Sequence, residues 1–189
     1  MPLGLGSYEA KPGRLGALDM SPFERYLGRI DGILAADILL DIPITIDFPE
    51  KKFEFGKNIP LDCEKVPLEI VHRYDFACDI SVELLLEGKI PVKVELDTGS
   101  YPLMLQEKYL NLLGIREFKE GVSIGAVKEQ KDKAAYLKEV SFLANKNVTL
   151  DKVPVSFEEL KIEGLGGNCL LEKHTVCFDL GSKRMYLSM

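Results

Sequence analysis

The sequence predicts a mainly β protein, and three pairs of extended runs support this fold class. Apolar and polar residues alternate in runs of about four to eight residues, the pattern of strands with one buried face. Each pair of runs flanks a short polar turn, as in a β-hairpin. The three pairs span residues 44–55, 79–96 and 175–187.

Composition indicates an ordinary folded protein. The chain has 189 residues, of which 46% are hydrophobic and 29% charged, enough for one or two compact units with apolar cores. The formal net charge of −6 argues against a nucleic-acid partner, which would require a basic surface. No apolar run reaches the length of a membrane span, and the N-terminus lacks the pattern of a signal peptide. The sequence leaves the cellular compartment unknown.

The N-terminal region is expected to be irregular. Glycines and prolines are frequent in residues 1–19, and they favour turns over regular structure. Ser21, Pro22 and Glu24 then provide an N-cap, a first-turn proline and a capping-box glutamate. A short helix is therefore predicted to begin at Ser21.

A pattern in the N-terminal part of the chain recurs at the C-terminus. Each copy has an apolar segment with glycine, then a polar residue, then two alternating runs around a four-residue polar turn. Asp37 is equivalent to Asn168, and Asp47 to Asp179. The spacing of about 131 residues is too long for a solenoid and fits two homologous lobes, so we interpret it as an internal duplication. The two copies are residues 30–55 and residues 162–187.

A connector and a further hairpin separate the two copies. Residues 58–76 contain Pro60 and Pro67 and are interpreted as an interlobe connector. The runs Asp79–Leu86 and Ile90–Leu96 then flank a Glu-Gly-Lys turn. They predict a hairpin whose second strand leads directly to Asp97.

This second strand delivers a single aspartate into a tight turn. Gly99 has no side chain, so the backbone can fold closely beside Asp97. The tripeptide Asp97-Thr98-Gly99 alone is a weak indication of function. The apolar residues that follow it, and the C-terminal copy of the repeat, provide the context needed to interpret it. The segment reads Val92-Lys93-Val94-Glu95-Leu96-Asp97-Thr98-Gly99-Ser100, followed by Leu103-Met104-Leu105.

In this context the segment resembles the retropepsin-like and pepsin-like aspartic protease superfamily. Its members place the aspartate of Asp-Thr-Gly at a strand end and close the lobe with a glycine-rich Asp/Asn segment and a hairpin, as in residues 162–187. The resemblance implies an acid-protease-like closed barrel. It also implies that Asp97 is catalytic, that Thr98 bonds across to the opposite lobe, and that Ser100 hydrogen-bonds the carboxylate.

The repeat and the resemblance together predict the domain organisation. Residues 1–57 are expected to be the C-terminal half of a first lobe, residues 58–76 the connector, and residues 77–189 a complete second lobe. Shifting Asp97 back by the repeat spacing places the aspartate of the first lobe ahead of Met1. The second half of the active site is therefore expected from upstream sequence or, alternatively, from a second copy of the chain in a homodimer.

The resemblance implies peptide-bond hydrolysis between two facing carboxylates, on a peptide or protein substrate and without a cofactor. Repulsion lets only one of the two ionise, so one activates water while the other polarises the scissile carbonyl. Residues Ser123, Ile124, Gly125 and Ala126 are the candidate substrate flap. The charged run 128–133 that follows is predicted to be a solvated loop.

Other chemistry is less well supported by the sequence. In the alternative interpretation the chain is a non-catalytic peptide-binding or dimerisation module with a retropepsin-like fold, and Asp97 is a structural turn residue. The four cysteines and two histidines lack the spacing of a zinc site, so no metal is expected. Cys169 and Cys177 are interpreted as small buried apolar residues instead of catalytic thiols.

Overall fold

The computed structural model describes residues 3–5, 8–10, 19–21, 24, 28–34, 36–56, 59–72, 78–124 and 129–189. Over these ranges the chain is mainly β, as the sequence predicted. The strands are β1 (Leu3–Leu5), β2 (Tyr8–Ala10), β3 (Ile44–Asp47), β4 (Lys52–Phe55), β5 (Cys63–Pro67), β6 (Glu69–His72), β7 (Cys78–Leu86), β8 (Ile90–Leu96), β9 (Leu103–Gln106), β10 (Lys119–Ile124), β11 (Glu129–Phe142), β12 (Asn145–Glu158), β13 (Gly164–Gly166), β14 (Thr175–Asp179) and β15 (Arg184–Ser188). The helices are one α-helix, α1 (Lys108–Leu112), and two 3-10 helices at Ala36–Leu39 and Asn168–Leu170.

Strands β7, β8, β13, β9, β12 and β11 form a closed barrel. Each strand is hydrogen-bonded to the next in that order, and β11 returns to β7 to complete the ring. Phe142 lies opposite Leu84 at this closure. Strands β6 and β10 extend the sheet by pairing with β7 and β11. The closed barrel agrees with the architecture that the resemblance implied.

Alternating side chains fill the interior of the barrel. Val92 and Val94 of β8 are almost fully buried, as are Leu84 and Leu86 of the adjacent β7. Residues two apart in a strand point to the same face of the sheet, so the two leucines and the two valines all point into one core. The predicted hairpin of β7 and β8 is therefore present, with its apolar face toward the barrel interior.

A second, five-stranded sheet lies against the barrel. Its strand order is β4-β3-β14-β15-β5, and all neighbouring strands are antiparallel. Strands β3 and β4 belong to the first sequence copy, and β14 and β15 to the second. The two predicted hairpins therefore pair with each other through β3 and β14.

Three sequence expectations meet a different or partial outcome. The connector 58–76 contains β5 and β6, because Val66 packs in the core while the flanking prolines stay at the strand margins. The charged run was expected to be a loop, but residues 129–133 begin β11, where pairing with β10 satisfies their backbone. Most of the helix predicted from Ser21 lies outside the described residues.

Within the described part of the chain, no helix is long and apolar enough to cross a membrane.

The barrel core predicts a large effect of side-chain truncation. Phe157 is fully buried, so Phe157→Ala should lower the free energy of unfolding by about 3–5 kcal/mol through lost burial and the cavity left behind. Urea unfolding followed by circular dichroism measures this change. Leu112→Ala, at a residue that is 60% exposed, is the matched control and should change stability by less than about 1 kcal/mol. Similar losses in both variants would contradict the barrel core.

Candidate active site

Strand β8 carries Asp97 to one end of the barrel. The buried valines of β8 fix the strand, and Leu96 is its last residue. Asp97 follows immediately and is exposed, as are Thr98 and Gly99. The predicted catalytic carboxylate thus lies in a turn at the surface, anchored on one side by a buried strand.

The turn holds one carboxylate oxygen of Asp97 in place. Oδ1 accepts a hydrogen bond from the backbone N–H of Gly99 at 2.8 Å, and the N–H of Ser100 donates to the Asp97 carbonyl at 3.1 Å. A Cβ atom at position 99 would lie 3.0 Å from Oδ1. Glycine therefore permits the close approach between this backbone segment and the carboxylate.

Strand β13 passes beneath the turn and separates its two ends. It pairs parallel with β8 on one side and antiparallel with β9 on the other. The chain leaves β8 at Leu96, crosses over β13 and returns in β9. Residues 97–102, which make this crossing, are called the arch below. The N–H of Asp97 donates to the carbonyl of Gly166 at 3.0 Å, which fixes the start of the arch.

Asn168 fixes the far side of the arch. Its backbone N–H donates to the carbonyl of Ser100 at 2.8 Å, and its side-chain Nδ2 donates to the carbonyl of Thr98, also at 2.8 Å. The next residue, Cys169, donates its N–H to the carbonyl of Tyr101 at 2.9 Å. The polar residue of the second repeat is thus a direct hydrogen-bond partner of the Asp-Thr-Gly turn.

The packing beneath the arch leaves no space for a side chain at Gly167. A Cβ atom there would lie 2.5 Å from the carbonyl oxygen of Tyr101 and 2.6 Å from that of Pro102. Both contacts are with backbone, so neither can be relieved by a side-chain rotation. Glycine is therefore required at position 167 by the close approach of two backbone segments.

Glu163 positions the entry to β13. Its carbonyl accepts the N–H of Gln106 at 3.0 Å, and its Oε1 accepts the hydroxyl of Tyr109 at 3.1 Å. Lys108 is also within 3.3 Å of Oε1. One glutamate therefore links β9 and α1 to the strand that supports the turn.

Thr98 and Ser100, the residues expected to support the turn, make contacts that the sequence did not predict. Thr98 is exposed, and its carbonyl accepts the bond from Asn168. Ser100 Oγ is buried and has no hydrogen-bond partner among the described residues, so it does not bond the Asp97 carboxylate as the resemblance implied. The sequence missed the role of Asn168, although its place in the repeat was the available signal.

The candidate flap is only partly within the described chain. Ser123 and Ile124 lie at the end of β10, opposite Gln130 and Glu129 of β11. Gly125 and Ala126 lie outside the described residues. The hairpin expected at this position is therefore present up to Ile124, and the flap assignment stays a prediction.

A cleft of about 460 Å³ begins where the arch ends at Pro102. Its walls come mainly from β10, β11 and β12, and Asp132 contributes a carboxylate whose Oδ1 is buried without a hydrogen-bond partner in the described chain. Burial, with the nearby negative charge of Glu158, raises the pKa of Asp132 above its ordinary value of 3.8. The cleft thus has apolar walls and contains the Asp132 carboxyl group, whose pKa is raised, beside the charged Glu117 and Lys119.

Two cysteines of the C-terminal segment lie in the protein interior. Cys169 is buried, and burial raises the pKa of its thiol to about 12, which keeps it protonated at neutral pH. Cys177 is fully buried. Within the described ranges, no three His, Cys, Asp or Glu side chains come together as a metal site would require.

The close contact at Gly167 predicts a specific loss of stability. Gly167→Ala should lower the free energy of unfolding by about 1–3 kcal/mol, because the added methyl group meets two backbone carbonyls. Thermal unfolding measures the effect. Gly32→Ala is the control, since a Cβ atom at Gly32 meets nothing within 4 Å. An unchanged unfolding temperature for Gly167→Ala would contradict the backbone packing described for this segment.

The raised pKa of Asp132 predicts a pH-dependent gain from its removal. The folded state holds this proton more tightly than the unfolded state, so the carboxyl lowers stability progressively as pH rises above about 4. Asp132→Asn should therefore raise the unfolding temperature at pH 7 and have little effect at pH 3. Asp151→Asn, at an exposed aspartate, is the control for the loss of one negative charge. A gain for Asp132→Asn that is larger at pH 3 would reverse the assigned direction.

Comparison with known proteins adds the following. No protein-family model matches the chain, and no curated protein matches it significantly. Among solved structures, it is similar to a retropepsin-like aspartic protease from Rickettsia conorii, with 19% identity and a TM-score of 0.48 over 68% of this chain and 96% of that chain. It is also similar to basic 7S globulin from soybean, with 13% identity and a TM-score of 0.43 over 77% of this chain and 50% of that chain.

Proposed function

We propose that this chain supplies one half of an aspartic-type endopeptidase site, with Asp97 as one of two catalytic carboxylates. The observation that carries the proposal is the geometry of the arch. Asp97 is exposed while its backbone is fixed by Gly166, and one carboxylate oxygen is held by the N–H of Gly99. A carboxylate held in this way is positioned, and among the described residues no lysine or arginine forms an ion pair with it.

The proposed reaction is hydrolysis without a covalent intermediate. Asp97 would face a second carboxylate, and mutual repulsion would leave one of them protonated. The ionised group would take a proton from a bound water molecule as that water attacks the peptide carbonyl. The protonated group would donate to the carbonyl oxygen and so stabilise the developing charge. The substrate would be a peptide or an unfolded protein segment lying across the arch.

The second carboxylate would come from a first lobe, and the two repeats support this arrangement. Both contain a 3-10 helix followed by a two-stranded hairpin in the same order. We propose residues 1–57 as the C-terminal half of that first lobe, residues 58–76 as the connector and residues 77–189 as the complete second lobe. Upstream sequence is the preferred source of the missing aspartate.

The hairpin turns of the two repeats agree in detail. Asp47 Oδ1 accepts the N–H of Glu50 at 2.9 Å, and Asp179 Oδ1 accepts the N–H of Ser182 at 3.2 Å. The next residue in each turn is a lysine with a positive φ, 53° at Lys51 and 54° at Lys183. A shared turn with an unfavourable backbone angle at the same position supports a common origin.

A non-catalytic peptide-binding or dimerisation module is the second candidate function. One observation favours it: Asp-Thr-Gly occurs once in the 189 residues. A single carboxylate cannot act as general base and general acid in the same step. In that case Asp97 would serve the turn alone, through its bond to Gly99.

Asp97→Asn tests the proposed catalysis. Cleavage of denatured casein would be measured between pH 3 and pH 7 for the chain itself and for a form extended upstream through its reading frame. We expect cleavage by the extended form and a loss of about a thousandfold or more in Asp97→Asn, because the amide cannot exchange the required proton. Asp151→Asn, another exposed aspartate, is the matched control and should retain full activity.

The other outcomes separate the alternatives. Cleavage by the short chain that rises with the square of its concentration would identify a homodimer as the active form. No cleavage by either form, with both folded, would overturn the protease and favour the binding module. Equal losses in Asp97→Asn and Asp151→Asn would show that the assay reports stability and not catalysis.

A further inference from the structure

The cleft that begins at Pro102 carries an excess of negative charge. Two carboxylates, Glu117 and Asp132, line it together with one amine, Lys119. Among the described residues, none of these three side chains forms an ion pair. At neutral pH the lining of the cleft is therefore net negative, and it is suited to a positively charged occupant.

Strand pairing places Asp132 beside a second, buried carboxylate. Lys133 lies opposite Phe157, so Asp132 and Glu158 are the next neighbours across β11 and β12. Glu158 is 4% exposed, and its Oε1 accepts the hydroxyl of Ser156 at 2.9 Å. Burial, and then the negative charge of Glu158, raises the pKa of Asp132. A cation bound at Asp132 would offset this repulsion.

The basic residue that follows Asp132 in the chain is held by a different carboxylate. Nζ of Lys133 lies 2.9 Å from Oε1 of Glu107 and 5.7 Å from the centre of the Phe118 ring. Phe118 lines the cleft, so a cation already lies against one aromatic ring of this region. The amine of Lys133 is thus paired with Glu107, and a cation for Asp132 has to come from another molecule.

The floor of the cleft is apolar and ends at an exposed aromatic ring. Asp132, Ala134 and Tyr136 alternate along β11, so their side chains point to one face of the sheet. Pro154 lies opposite Tyr136 on β12. The small alanine leaves space between the carboxylate and the tyrosine, which is 72% exposed. A long side chain can therefore lie over Ala134, with its tip at Asp132 and its base beside Tyr136.

Arginine matches this combination of groups. Its methylene groups suit an apolar floor, and its planar guanidinium donates hydrogen bonds to a carboxylate while keeping its charge. The ring of Tyr136 adds an attraction for a cation that lies over it. A norleucine side chain would cover the same floor but would leave the charge of Asp132 desolvated without a partner, which costs free energy.

The cleft is close to the candidate catalytic aspartate. Pro102 ends the arch and lines the cleft, and Asp97 begins the arch five residues earlier. Five residues of extended backbone span at most about 18 Å. A peptide that crosses the arch at Asp97 therefore reaches the cleft within about five of its own residues.

We propose that this cleft binds an arginine side chain of the peptide substrate, and that Asp132 is the residue that determines this preference. The inference rests on the proposed endopeptidase function and names its substrate class, peptides with an arginine within about five residues of the cleaved bond. The guanidinium donates to the Asp132 carboxylate, the methylene groups lie over Ala134, and Tyr136 packs against the bound side chain. Acidic peptides are disfavoured, because Glu117 and Asp132 repel them.

Binding of short peptides to the 1–189 chain tests the inference without catalysis. The chain contains no tryptophan, so a tryptophan at one end of the peptide gives the fluorescence signal. The peptides would be about eight residues of alanine and serine around one arginine, with citrulline, lysine or norleucine replacing it in the matched set. At pH 7 the arginine peptide should bind about tenfold or more tightly than the citrulline peptide, because citrulline keeps the shape and loses the charge. The lysine peptide should fall between them.

Asp132→Asn should remove the preference. We expect its affinity for the arginine peptide to fall about tenfold, so that the arginine and citrulline peptides bind alike. Asp151→Asn, at an exposed aspartate, removes the same formal charge and is the matched control, which should keep the preference. A preference that persists in Asp132→Asn would overturn the inference. An equal loss in both variants would also overturn it, because net charge alone would then attract the peptide.

Acidification should act in the same direction as Asp132→Asn. The carboxyl must be ionised to attract a guanidinium, and its pKa is raised above 3.8. The preference for arginine over citrulline is therefore complete at pH 7 and is lost as pH falls through that pKa, so the two peptides should bind alike at pH 3. An unchanged preference at pH 3 would exclude Asp132 as its source.

The remaining outcomes distinguish this inference from the proposed function. Equal binding of the arginine and citrulline peptides at pH 7, or no saturable binding below about 1 mM, would overturn the arginine site and leave the role of Asp97 to the casein assay. Tighter binding of the norleucine peptide would mean that an apolar side chain occupies the cleft, and would also overturn it. An arginine preference in binding without casein cleavage by the upstream-extended form would retain the site and remove the protease.

Discussion

The passage of β13 between β8 and β9 is the constraint on which the rest of the structure depends. Three glycines in this segment, Gly164, Gly166 and Gly167, lie so close to neighbouring atoms that a Cβ at each would meet another atom within 3 Å. The short strand closes the barrel ring by joining β8 to β9. It also forces the connection between those strands to arch outward. The exposed aspartate is therefore a result of how the barrel closes.

The position of β13 between β8 and β9 also explains why the backbone of the arch is fixed although the arch is not buried. Its supporting hydrogen bonds run from backbone and from one asparagine amide to the carbonyls of Thr98, Ser100 and Tyr101. Such bonds fix the backbone while leaving the side chains of Asp97 and Thr98 at the surface. The arch therefore combines a fixed backbone with accessible side chains.

The sequence predicted those parts of the fold that depend on local pattern. The hairpins β7–β8, β3–β4 and β14–β15 follow from alternation and turn residues, so their positions agree with the structure. Strand β5 was missed because its burial depends on the distant β15, and β6 because it is largely exposed and pairs with β7 at one side only. The hydrogen bonds of Asn168 were missed because they join residues about 70 positions apart in the chain. Such pairings depend on the barrel being closed, which local sequence does not encode.

The pairing of Thr45 with Cys177 has a consequence for how the five-stranded sheet assembles. In a symmetric dimer, a residue on the two-fold axis must pack against its own copy, so each mutation is introduced twice at the same contact. Thr45 and Cys177 carry different side chains, so no symmetric contact of this kind exists between β3 and β14. The two residues are far apart in the sequence, and their strands can pair only when the intervening barrel segment has folded back. The five-stranded sheet therefore depends on the barrel for its assembly.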